Sequence, residues 1–96
     1  MNSLEDILII LRSVKPDLFN RYHINYLAVL ESSLSDEPVL TAGLGVVVEF
    51  NDGSKPQFVE LESYLSDLLR RSVHLIVKNG MSEEMYSRML PELHQL

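Results

Sequence analysis

The chain has 96 residues, no cysteine and a formal net charge of -6 at pH 7. This length makes one domain, residues 1–96, and the absence of cysteine excludes disulfides, thiolate metal sites and thiol catalysis. The acidic balance argues against nucleic-acid binding, which depends on neutralised phosphates, and it either favours a basic partner or only maintains solubility. With an acidic N-terminus and no apolar run near the roughly 20 residues that cross a bilayer, we expect a soluble cytoplasmic protein without a membrane segment.

Helical and strand patterns alternate from the start of the chain. A capping box at residues 3–6, followed by apolar residues at helical spacing, predicts a first helix that ends near Val14. Pro16 is predicted to interrupt this helix and to begin a second short one over residues 16–22, because its missing N–H would be unpaired in a first turn anyway. Residues 24–30 are typical of a strand.

The rest of the chain continues the alternation. Its predicted elements are a loop over 31–41 with one helical turn near 33–37, a strand over 44–50, a turn at 51–54, a helix over about 58–71, a strand over 73–77, a turn at Asn79-Gly80 and a last helix capped by Ser82. Three consecutive valines in the second strand predict burial on both of its faces. Together these elements predict an α/β (α+β) fold with a small mixed sheet flanked by helices.

Common site motifs do not fit this scaffold. Gly43-Leu44-Gly45 begins like a dinucleotide fingerprint, but Val48 stands where the third glycine belongs, and the glycines enter a strand instead of leaving one. The histidines lack metal-ligand spacing and are expected at the surface or partly buried: His23, His74 and His94. A methionine series at four-residue spacing favours core packing, with an exposed partner groove as the alternative: Met81, Met85 and Met89.

The middle of the chain carries a more specific pattern. Arg21-Tyr22 precedes a strand, Ser32 and Glu37 follow it, and the next strand ends in Val48-Glu49-Phe50. This run resembles, without a gap, the minimal nucleotidyltransferases of the DNA polymerase β superfamily, whose pattern is Arg-Tyr-Gly-Val, a strand, Gly-Ser, Arg-Gly-Glu and Ser-Asp-x-Asp entering a strand that ends Val-Glu-Phe. The likeness extends over nearly the whole chain and implies the nucleotidyltransferase fold.

The resemblance also implies a metal site, and the chain departs from it there. In that family two aspartates one residue apart and a third acid on a neighbouring strand hold Mg²⁺, which stabilises charge as a nucleotidyl group leaves ATP. The corresponding positions are Gly43, Gly45 and His74, and imidazole is a poor ligand for Mg²⁺. Glu49 shares the strand parity but lies roughly 13 Å further along the strand. We therefore predict no metal and no catalytic residue.

The implied nucleotide-binding loop also departs from the family pattern. Glu31 stands where the family has glycine, Ser32 survives, and Ser35 replaces an arginine. A carboxylate about 4 Å from a phosphate oxygen costs on the order of 1–4 kcal/mol, depending on screening. These three positions are therefore predicted to be vestigial, and binding of ATP is predicted to be lost together with Mg²⁺.

The resemblance implies a partner as well. Many small members of the family are antitoxins that pair with a helical HEPN-type toxin, a ribonuclease, and some silence it by transferring AMP to a tyrosine. The sequence thus predicts a catalytically inactive nucleotidyltransferase-fold protein that acts as a protein-interaction module, an antitoxin-like partner of such a toxin. One alternative is an active nucleotidyltransferase with altered or partner-supplied metal ligands. Another is a pseudoenzyme that forms a homo-oligomer and regulates something unrelated.

Overall fold

A four-stranded mixed sheet organises the protein. The computed structural model describes residues 4–30, 44–51 and 57–96. In chain order the elements are α1 (Leu4–Tyr22), β1 (Ile24–Leu30), β2 (Leu44–Phe50), α2 (Phe58–Leu69), β3 (Val73–Val77), a 3-10 turn (Lys78–Gly80), α3 (Glu83–Met89), a second 3-10 turn (Leu90–Glu92) and β4 (Leu93–Gln95). The predicted loop over 31–41, with its helical turn, lies outside the described residues.

The strands are arranged in the order β3-β2-β1-β4, with β2 and β3 parallel and the other two pairs antiparallel. This confirms the predicted mixed sheet, and the first three strands have the predicted bounds. The sequence prediction did not include β4. Its three residues include no Val, Ile, Thr, Phe, Tyr or Trp. The strand is fixed by pairing with β1, which continues to a hydrogen bond from the Leu96 N–H to the Leu27 carbonyl, 2.9 Å.

Alternation along the strands divides the buried residues between the two faces of the sheet. One face packs against α1 and α2 and forms the main core, which includes Leu27, Val29, Val46, Val48, Leu61 and Leu65. The other face carries a smaller cluster beneath α3, formed by Tyr26, Ala28 and Val47 with Ile76, Tyr86, Met89 and Leu93. Strand β2 is therefore buried on both faces, as its valines predict.

Helix α1 is continuous, so the predicted break at Pro16 is wrong. Its buried positions, Ile7, Leu11, Leu18 and Tyr22, lie at spacings of four and seven and keep one stripe in phase across the proline. An interior proline costs roughly 3 kcal/mol, whereas burying one large apolar side chain contributes about 1.5–3 kcal/mol. The two buried residues beyond the proline offset its cost, and packing on the sheet overrides the local preference.

The end of α2 protects an edge of the sheet. The helix ends at Leu69, two residues before the predicted limit, because Arg70 adopts the left-handed conformation (φ 54°) and its N–H bonds to the Ser66 carbonyl. The Ser66 hydroxyl accepts the Val73 N–H (3.1 Å), and Glu62 Oε2 accepts the Leu75 N–H (3.0 Å). Two donors on the outer edge of β3 are thus occupied by side chains of α2, which discourages pairing with another strand.

Helix α3 begins as predicted and lies at the surface. The Ser82 hydroxyl accepts the Met85 N–H at 3.2 Å, which confirms the cap. The methionine series is neither wholly packed in the core nor wholly exposed. Met89 packs on the sheet, whereas Met85 is 57% exposed. No residue of α3 is fully buried. Within the described segments, no helix is both long and apolar enough to cross a membrane.

Candidate functional site

Gly45 and His74 lie side by side on neighbouring strands. They are partners in the parallel register of β2 and β3, and Gly45 is paired with Leu30 of β1 on its other side. Paired positions on adjacent strands face the same side of a sheet. The described structure thus brings together two of the predicted metal-site positions, and neither carries a carboxylate. The remaining predicted positions, Gly43, Glu31, Ser32 and Ser35, lie outside the described residues.

The surroundings of Gly45 are apolar. Gly45 is buried, and a β-carbon added there would lie 3.3 Å from Leu30 Cβ and 3.4 Å from both Leu30 Cδ2 and Ile76 Cδ1. The distance to Leu30 Cβ is slightly shorter than ordinary van der Waals contact and the other two lie at its lower limit, so a side chain at this position would require Leu30 to move by a few tenths of an ångström. Hydrocarbon from Leu30 and Ile76 therefore borders the position where the family resemblance implies an acid.

His74 is largely open to solvent. Its side chain is 70% exposed, and Nδ1 lies 4.0 Å from Glu62 Oε2. That carboxylate oxygen also accepts the Leu75 N–H on the outer edge of β3, the edge that faces away from β2. Glu62 is therefore engaged on the side of His74 opposite to Gly45 and does not supply the missing acid between the two strands.

The described residues do not fit a bound Mg²⁺ ion. Among residues 4–30, 44–51 and 57–96, no group of three or more His, Asp or Glu side chains is placed to hold a metal. Mg²⁺ selects carboxylate and other oxygen ligands in near-octahedral geometry, and a glycine beside an exposed imidazole offers neither. No metal-dependent step can therefore be assigned to Gly45 and His74.

Glu49, the acid of β2 on this face, has a different environment from that of Gly45. Its Oε2 lies 3.6 Å from Lys78 Nζ. The same ammonium nitrogen lies 5.4 Å from the centre of the Tyr26 ring and 4.8 Å from that of Tyr86, within the range of cation–π attraction. We call these four residues the Lys78 cluster. Glu49 is occupied within it, at the opposite end of β2 from Gly45.

The Lys78 cluster joins α3 to the sheet. The hydroxyl groups of Tyr26 and Tyr86 lie 3.0 Å apart, and their rings meet edge to face. Burial raises the pKa of the Tyr26 hydroxyl far above its ordinary value, and the hydrogen bond with Tyr86 adds to the effect. Sequence reasoning missed this cluster. Strand parity indicates that Tyr26 and Glu49 share a face, but nothing in the sequence places Tyr86 over it.

Known proteins similar to this chain identify its family. It is 31% identical over 93 residues to a Methanocaldococcus jannaschii protein named "Putative protein adenylyltransferase MJ0126", covering 96% of this chain and 95% of that protein. The chain belongs to the minimal nucleotidyltransferase family. "Protein adenylyltransferase MntA" of Thermococcus cleftensis is also 30% identical to this minimal nucleotidyltransferase over 94 residues, covering 97% and 95% of the two chains.

A structural comparison agrees with the fold. The solved "Structure of putative minimal nucleotidyltransferase" superposes with a TM-score of 0.71, covers 93% of this chain and 92% of its own, and is 22% identical in sequence. No protein-family model matches the chain. At 22% identity the solved structure supports the fold alone. The family of this minimal nucleotidyltransferase is established by its sequence matches to the Methanocaldococcus jannaschii and Thermococcus cleftensis proteins.

Proposed function

We propose that this minimal nucleotidyltransferase acts by binding a protein partner and does not transfer nucleotides. The observation that carries the proposal is the pairing of Gly45 with His74 on adjacent strands, with Leu30 and Ile76 bordering the glycine. The positions for which the family resemblance implies converging carboxylates provide backbone, hydrocarbon and an imidazole instead. The third implied position, Gly43, has no side chain in the sequence either.

The charge balance supports loss of nucleotide binding as well. A triphosphate in this fold depends on a metal to neutralise it, and the sequence adds Glu31 and replaces an arginine with Ser35 in the implied phosphate-binding loop. Each carboxylate about 4 Å from a phosphate oxygen opposes binding by on the order of 1–4 kcal/mol. Binding of ATP in the mode implied by the family is therefore disfavoured both by the absence of metal ligands and by the added negative charge of the implied loop.

Incubation with ATP labelled in the adenylyl group tests the proposal. The protein is incubated with Mg²⁺ or Mn²⁺, alone and with a candidate partner, and protein-bound label is measured. We expect no label on either chain. Label transferred to any acceptor would overturn the inactive assignment, provided that it disappears when the unlabelled nucleotide is added in excess.

A HEPN-type ribonuclease is the partner we propose. The relatives carry names that describe them as protein adenylyltransferases, so proteins are the acceptors those names imply. A net charge of -6 suits a partner with a basic surface, as a ribonuclease that must hold RNA requires. Binding that covers this surface would inhibit the ribonuclease without covalent modification.

Mixing experiments test the partner. We expect the protein to form a complex with such a ribonuclease in light scattering coupled to gel filtration, and to suppress RNA cleavage without added nucleotide. Suppression that requires ATP, or a chain that forms only complexes with itself, would contradict this assignment. The second result would favour the homo-oligomeric alternative.

Adenylyl transfer with altered or partner-supplied ligands is the second candidate function. The names of the two relatives favour it, since both describe adenylyltransferases. It requires at least one carboxylate from outside the described Gly45 and His74 pair. It predicts that label is transferred only when the partner is present, which the incubation experiment distinguishes from complete inactivity.

A further inference from the structure

The carboxamide of Asn79 acts as an additional strand partner at the end of β2. Its Oδ1 accepts the Phe50 N–H at 2.8 Å, and its Nδ2 donates to the Phe50 carbonyl at 3.0 Å. Both polar atoms of the side chain are thus bound to the two backbone groups of one residue, which fixes the position of Cγ. Asn79 is otherwise exposed, so water has access to it.

Gly80 follows Asn79 without an evident structural need for glycine. A β-carbon at Gly80 would meet nothing within 4 Å among the described residues, and its φ is outside the left-handed region. Neither packing nor backbone conformation therefore excludes a larger residue. Glycine does leave its own backbone nitrogen least hindered for attack on the preceding side-chain carbonyl.

We propose that Asn79-Gly80 is a deamidation site that the folded structure protects from reaction. When the two hydrogen bonds to Phe50 break, the Gly80 nitrogen bonds to Asn79 Cγ and the Cγ–Nδ2 bond breaks. Ammonia leaves with the proton of the Gly80 amide, and a five-membered succinimide remains. One water molecule then opens the ring at either carbonyl, giving aspartate or isoaspartate.

Protection follows from the two hydrogen bonds between the Asn79 side chain and the Phe50 backbone, which we call the clamp. The two hydrogen bonds hold both polar atoms of the carboxamide on Phe50, so the side chain cannot rotate to meet the Gly80 nitrogen while these bonds persist. Reaction requires local opening, which is governed by the stability of this part of the structure and not by global unfolding alone. Asn79-Gly80 is thus expected to react when this part of the chain is locally unfolded and to be protected when the two hydrogen bonds to Phe50 are formed.

The product prevents the clamp from closing again. Aspartate keeps an acceptor for the Phe50 N–H but has no Nδ2 donor, so its second carboxylate oxygen would face the Phe50 carbonyl oxygen. Isoaspartate additionally lengthens the backbone. A single opening followed by reaction would therefore leave a permanent change at the junction of β2 with the turn after β3, remote from Gly45.

Peptide mass spectrometry tests the proposal by following the exchange of NH₂ for OH at Asn79 over time. The full chain is held at mildly alkaline pH in buffer and in urea above its unfolding midpoint. We expect conversion to be at least about tenfold slower in the folded protein, the ratio that corresponds to an opening free energy of about 1.4 kcal/mol. Gly80→Ala is the matched control, with slow conversion in both conditions and an unchanged unfolding midpoint.

Two results would overturn the proposal. Equal rates in the folded and unfolded protein would show that the clamp gives no protection, and absence of conversion in urea would show that the site is unreactive. Ser66→Ala, which weakens the remote edge of β3, serves as a second control. It should leave the folded conversion rate within about twofold of wild type if opening is local to the clamp.

Discussion

Replacing Gly43, Gly45 and His74 together by aspartate tests whether these three positions converge on one metal site. At Gly45 the new β-carbon lies 3.3 Å from Leu30 Cβ and 3.4 Å from Ile76 Cδ1, so the substitution overpacks an apolar position. Overpacking typically lowers the free energy of unfolding by about 1–3 kcal/mol. A poorly solvated carboxylate without a partner lowers it by about another 1–3 kcal/mol. We expect the metal-free variant to lose roughly 2–6 kcal/mol of unfolding free energy.

Mg²⁺ should restore part of this loss if the three positions converge. A ligand that binds only the folded state at about 100 times its dissociation constant stabilises it by about 2.7 kcal/mol. Calorimetric titration of Mg²⁺ into the variant measures binding directly, and urea unfolding with and without Mg²⁺ measures the linked stabilisation. Wild type should show neither effect, because Gly45 and His74 offer no carboxylate.

Two further variants separate packing from charge. Gly45→Ala adds only the β-carbon and therefore reports the steric cost, while Ile76→Val in the aspartate variant removes Cδ1, one of the three atoms closest to the new side chain. We expect Ile76→Val to recover about 1 kcal/mol in that background. The reasoning is refuted if the aspartate variant, with or without Ile76→Val, remains folded but neither binds Mg²⁺ nor gains stability from it.

Three other predictions follow from local geometry. His23 adopts φ 55°, so His23→Gly should raise the unfolding free energy in urea by about 0.5–1 kcal/mol, and a decrease would contradict the left-handed assignment. Asn79→Ala should lower it by about 1–3 kcal/mol, because both backbone groups of Phe50 lose a partner; an unchanged midpoint would show that water replaces the carboxamide. The raised pKa of Tyr26 means that the unfolded chain releases this proton first, so stability should fall as pH rises above about 10, by up to about 1.4 kcal/mol per pH unit. Tyr26→Phe should flatten that fall, and an identical pH profile would argue against burial of the hydroxyl.

Sequence patterns predicted the elements whose signals lie within their own residues. They failed where contacts with residues far away in the chain determine the secondary structure. The bounds of β1, β2 and β3 follow from apolar runs between turn residues, and the structure has them as predicted. Pro16 was misread because its local cost is evident in the sequence, whereas the stabilisation from burying Leu18 and Tyr22 depends on a sheet formed later in the chain. The three residues of β4 have almost no strand propensity and depend on β1 for their backbone partners.

The candidate site was partly predictable for a similar reason. A resemblance that extends over nearly the whole chain aligned Gly45 and His74 with metal-binding positions, and the register of β2 and β3 makes them neighbours. Their assignment as lost ligands remains a prediction, since Gly43 lies outside the described residues. The hydrocarbon of Leu30 and Ile76 around Gly45 could not be foreseen, because it depends on side-chain positions across three strands.

The alternation of β-strands separates the residues that hold this fold together from the positions of Gly45 and His74. In β2, Leu44 and Val46 lie in the main core, while Gly45 between them faces the other side of the sheet. In β3, Leu75 lies in the core and its neighbour His74 is exposed. Because successive residues face opposite sides, substitutions on the site face leave the packing against α1 and α2 untouched. Side chains at Gly45 and His74 can therefore differ without disturbing the core contacts of Leu44, Val46 and Leu75.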